Sequence, residues 1–72
     1  MDTKGHIIEL HRYGKVIDLI FTDNESRDKV KNSFELYPKT YESMVVFPCQ
    51  LSIGTKSIEF ANKLYVHFYL GL

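Results

Sequence analysis

The chain has 72 residues and a single cysteine, with nine Lys or Arg against nine Asp or Glu and a formal net charge of zero. Zero charge removes the basic excess by which general nucleic-acid binders hold phosphate, and a lone Cys49 allows neither an intrachain disulfide nor a multi-cysteine zinc site. A chain this short is expected to form one domain over 1–72 and to bury only about 60% of its unfolded surface, so an economical core, self-association or a partner must supplement its stability.

The N-terminal run MDTKGHIIEL lacks the charged-then-apolar pattern of a secretory leader, and no stretch nears the roughly 18 apolar residues of a membrane span. The expectation is a cytoplasmic protein without membrane attachment, with Cys49 reduced. Lys, Ile, Tyr and Phe are plentiful while Ala61 is the only alanine. That bias fits AT-rich coding, as in a bacterium, a phage or another mobile element.

The first element is a hairpin, HIIELHRYGKVIDLIF. Glycine leads the Gly14-Lys15 turn, the type II′ pattern. This predicts the pairs Tyr13–Val16, Arg12–Ile17, His11–Asp18, Leu10–Leu19, Glu9–Ile20 and Ile8–Phe21. Ile8, Leu10, Ile17, Leu19 and Phe21 then share a core face. Ile7, Glu9, His11, Tyr13, Val16, Asp18 and Ile20 share a mixed one.

A helix follows over residues 24–36, capped by Thr22 with Glu25 or by Asn24, and stopped by Pro38. Val30, Phe34 and Tyr37 fall at helical spacing as its buried stripe. Met44 to Phe47 reads as a strand, with Pro48 placing it at an edge or a bulge. Val45, Phe47, Cys49, Leu51 and Ile53 alternate onto one face. Gly54-Thr55 reads as a second glycine-first turn.

Residues 56–70 support two readings. As a strand, KLYVHFYLGL carries Leu64, Val66, Phe68 and Leu70 on one face and Tyr65, His67 and Tyr69 on the other, so both faces need cover. As a helix capped by Thr55 or Ser57, the segment has an apolar stripe of Ile58, Ala61, Leu64, Tyr65 and Phe68. The density of Tyr, Val and Phe favours the strand. The expected class is α+β: an antiparallel sheet of four to five strands in the order ββαβββ with one helix on one face. The alternative is ββαβα with a C-terminal helix.

No catalytic or cofactor motif stands out, so a non-enzymatic protein is expected. His11 beside Asp18 has the elements of a general base but neither a nucleophile nor an oxyanion site. An enzyme built on that pair would need a dimer interface to form a cleft. His6 and His11 are an odd number of positions apart on one strand and point to opposite faces, which speaks against a shared metal. No metal or cofactor is expected, and Cys49 reads as a small packing residue.

The aromatic C-terminal segment carries the strongest functional signal. Tyrosine and phenylalanine suit protein interfaces, so the expected partner is another protein, or a second copy of this chain in a homodimer. The expected contact residues are Tyr13, Tyr65, His67, Phe68 and Tyr69. The alternative is a nucleic-acid module in which Arg27, Lys31 and Lys39 hold phosphate while Tyr37 and Tyr41 stack on bases.

Overall fold

A computed structural model describes residues 7–71 of the chain. The elements run β1 (Ile7–Tyr13), β2 (Val16–Phe21), α1 (Asn24–Glu35), a 3-10 turn (Pro38–Thr40), β3 (Ser43–Phe47), β4 (Gln50–Gly54) and α2 (Ile58–Gly71). The four strands form one antiparallel sheet in the order β1-β2-β4-β3. Both helices pack on the same face of it, α1 over β2 and β4, α2 over β1 and β2. The α+β class, the antiparallel sheet and the helix after the first hairpin are those the sequence implies.

The first hairpin keeps the register its turn dictates. Tyr13, Arg12, His11, Leu10 and Glu9 pair with Val16, Ile17, Asp18, Leu19 and Ile20. Gly14 has φ +61°, as the first position of a II′ turn requires. At the far end the register shifts, and Phe21 pairs with Ile7 instead of Ile8. Ile8 is the extra residue of a β-bulge and lies 58% exposed, while Ile7 is buried. The two isoleucines thus exchange the places expected from strict alternation.

At α1, Asp23 is the cap, between the two expected positions. Its carboxylate accepts from the Ser26 N–H at 2.8 Å. Ser26, Val30 and Phe34 form the buried stripe at i, i+4 and i+8, and Tyr37, beyond the helix end, is exposed.

The second hairpin turns at Pro48-Cys49, where the sequence suggested one long strand and a turn at Gly54-Thr55. Phe47 pairs with Gln50, leaving two residues in the loop. Proline supplies the fixed φ of the first turn position, and Cys49 takes φ +57° at the second, the type II pattern usually met with glycine. The turn reverses the expected sharing of faces. Leu51 and Ile53 are buried beneath the helices, while Val45 and Phe47 lie on the opposite face.

The terminal segment is a helix, not a strand, so the element order is ββαββα. Strand propensity loses here to capping and burial. The Ser57 hydroxyl accepts from the Phe60 N–H at 3.1 Å, and Glu59 stands in the first turn, where the helix dipole favours a carboxylate. Ala61, Leu64 and Phe68 meet the core at i, i+3 and i+7. Buried Thr55 fixes the entry, its N–H donating to the Lys15 carbonyl at 2.9 Å, with its hydroxyl 2.7 Å from the same oxygen. The core is Ile7, Ile17, Leu19, Phe21, Val30, Phe34, Leu51, Ile53 and Ala61.

Candidate functional site: the outward side of α2 and the groove beside it

The helical phase of α2 divides the aromatic segment in two. Tyr65 and Phe68 turn towards the core and are partly buried, Phe68 lying 5.8 Å from the Phe34 ring, centroid to centroid. Val66, Tyr69 and Leu70 turn outwards, 44%, 60% and 74% exposed. Tyr65 and Tyr69, one turn apart, stack with centroids 6.1 Å apart and planes within 15°. That stacking holds an aromatic ledge along the helix.

A groove of about 330 Å³ runs between the two helices. Val30, Phe34, Leu64 and Phe68 give it an apolar floor, and Ser33, Tyr37, Thr40 and His67 edge it with polar groups. His67 is exposed and meets Phe68 edge to face at 5.2 Å. The volume is at the small end for a binding pocket and has room for one large apolar side chain.

Of the expected interface residues, Tyr65, His67, Phe68 and Tyr69 stay together on α2, but on a helix and with different exposures. Tyr13 is separate from them. It projects from the opposite face of the sheet, 62% exposed and stacked on His11 at 6.1 Å. Val66 and Leu70 belong to the outward side and were absent from the expected set. Helical phase counted from the Ser57 cap would have found them.

Several of the basic and aromatic residues of the nucleic-acid reading are engaged within the fold. Arg27 is engaged within the fold: its guanidinium donates to the Asp28 carboxylate at 2.7 and 3.0 Å, to Asn24 Oδ1 at 2.9 Å and to the Phe47 carbonyl at 3.0 Å. Lys31 faces Glu35 at 3.5 Å. Tyr41 packs edge-on against Phe34 at 5.8 Å. Tyr37 and Lys39 are exposed near the 3-10 turn.

His11 and Asp18 are opposite each other in the ladder, yet the close carboxylate is Glu9, 3.7 Å from His11 Nε2. Among the described residues no three of His, Cys, Asp and Glu gather as a metal site would require, and His6 lies outside those residues. Cys49, in its turn, is partly exposed. No described helix is long and apolar enough to cross a membrane.

Comparison of the chain with protein-family models, curated proteins and solved structures returned no match.

Proposed function

We propose that the chain is a small non-enzymatic interaction module that acts as an inhibitor, adaptor or regulator of a larger protein. The contact surface is the outward side of α2 with the adjoining groove. One observation carries this reading. A helix that served only its own core would be polar on the far side, but α2 presents Val66, Tyr69 and Leu70 there, beside a groove with an apolar floor. Aromatic and aliphatic side chains at a polar-edged groove are the composition of an interface centre. The partner would insert one apolar anchor between His67 and Tyr37 and cover the ledge of Tyr65 and Tyr69. An AT-rich coding bias fits a protein of a mobile element directed at a host protein.

The test is a variant carrying Val66→Ser, Tyr69→Ser and Leu70→Ser. These positions are exposed, so the fold should persist by circular dichroism. Binding to the partner captured by the unaltered chain should fall at least about 30-fold, the size of a hot-spot loss. Unchanged affinity would remove α2 from the interface.

A further inference from the structure

The two edges of the sheet are built differently. The β1 edge carries Glu9, His11 and Arg12 and is broken by the bulge at Ile8, which are the devices that keep an edge from pairing with another chain. The β3 edge, SMVVF, has no charge, no proline and no register shift against β4. Val45, Val46 and Phe47 on it are 50%, 43% and 44% exposed.

The register shows what this edge offers. The Phe21 N–H bonds the Cys49 carbonyl and the Thr55 N–H bonds the Lys15 carbonyl, so the odd-numbered residues of β4 face β2. Even-numbered Gln50 and Ser52 therefore bond their partners on β3, which are Phe47 and Val45, and at the strand's start the Gly54 carbonyl accepts from the Glu42 N–H at 2.7 Å. Alternation leaves the N–H and C=O of Met44 and Val46 directed at the open edge.

We infer that β3 is an isologous dimer interface, pairing antiparallel with β3 of a second copy of this chain about a two-fold axis at Val45. In that register Met44 of each copy exchanges both backbone bonds with Val46 of the other. Every donor has an acceptor: the two N–H and two C=O groups of one edge meet the two C=O and two N–H groups of the next. Val45 meets its own copy in a non-hydrogen-bonded pair, where side chains approach closest. Phe47 lies over Ser43 of the second copy. No charge opposes the contact, and the chain's zero net charge gives no long-range repulsion between copies. The two sheets become one of eight strands with all four helices on one face, leaving the outward side of α2 free. The inference is therefore independent of the proposed function.

Light scattering coupled to size-exclusion chromatography tests it, at concentrations up to about 1 mM, which populate even a weak pairing. The unaltered chain should approach twice its 8.4 kDa mass. Val45→Lys and Val45→Glu should each weaken dimerisation at least about tenfold, because symmetry sets like charges opposite each other. An equimolar mixture of the two should recover the doubled mass. An unaltered chain that stays monomeric overturns the inference and leaves this edge to a strand of some other protein. A Val45→Lys chain that dimerises as before also overturns it. Should either variant unfold, amide exchange of the unaltered chain decides: Met44 and Val46 N–H must gain protection with rising concentration, and concentration-independent exchange contradicts the pairing.

Discussion

The backbone N–H of Cys49 donates to Oδ1 of Asn24 across 2.8 Å, joining the tip of the second hairpin to the first residue of α1. The same oxygen accepts from Arg27 at 2.9 Å, and Arg27 reaches on to the Phe47 carbonyl at 3.0 Å. The Cys49 carbonyl accepts from the Phe21 N–H at 2.8 Å. One turn thus fastens β2, β3 and α1 together, and α1 is held over the sheet where it forms one wall of the groove.

Asn24→Ala removes the acceptor of both bonds. With each such bond contributing about 0.5–1.5 kcal/mol, the expected loss is about 1–3 kcal/mol by urea unfolding. Asn24→Asp keeps an acceptor at the N-terminal end of a helix and should stay within about 0.5 kcal/mol of the unaltered chain.

Cys49 holds a left-handed backbone that costs a non-glycine residue about 1–2 kcal/mol. Cys49→Gly is expected to raise the urea midpoint, with a gain of up to about 1 kcal/mol after glycine's larger unfolded-state entropy is counted. Cys49→Val, branched at Cβ, should lower it. A fall with glycine would show that the cysteine side chain contributes more than the backbone strain costs.

Ala61 is fully buried where α2 meets the sheet. Its small side chain sets how closely the helix approaches. Ala61→Leu is expected to cost about 1–3 kcal/mol by overpacking, against a total stability of about 4–11 kcal/mol for a chain of this length. Weaker near-ultraviolet circular dichroism should accompany it as Tyr65 and Phe68 lose their packing on the core.

The parts of this fold legible in the sequence are those where one residue type fixes one geometry. Gly14 dictates a turn, the turn dictates a register, and the first hairpin follows to within its bulge. The bulge itself has no mark, since Ile7 and Ile8 are interchangeable by composition. The Pro48-Cys49 turn was hidden because its positive φ falls on cysteine, where no glycine or asparagine announces it. For α2 the local preference of Tyr, Val and Phe pointed to strand, while the deciding terms were tertiary: the Ser57 cap, Ala61 against the sheet, and Phe68 beside Phe34. The candidate site was legible as a set of aromatic residues but not as a surface. Which of them face outwards depends on helical phase, and the groove depends on where α1 and α2 settle side by side.

The most direct test of the central claim is site-specific photo-crosslinking from two exposed positions, Tyr69 on the outward side of α2 and Lys15 at the tip of the first hairpin. Each photoreactive variant would be expressed in the organism that encodes the chain. One discrete adduct is expected from position 69, lost when Val66→Ser and Leu70→Ser are added, and none from position 15. The same adduct from both positions, or an adduct from position 15 alone, would contradict a partner surface on α2.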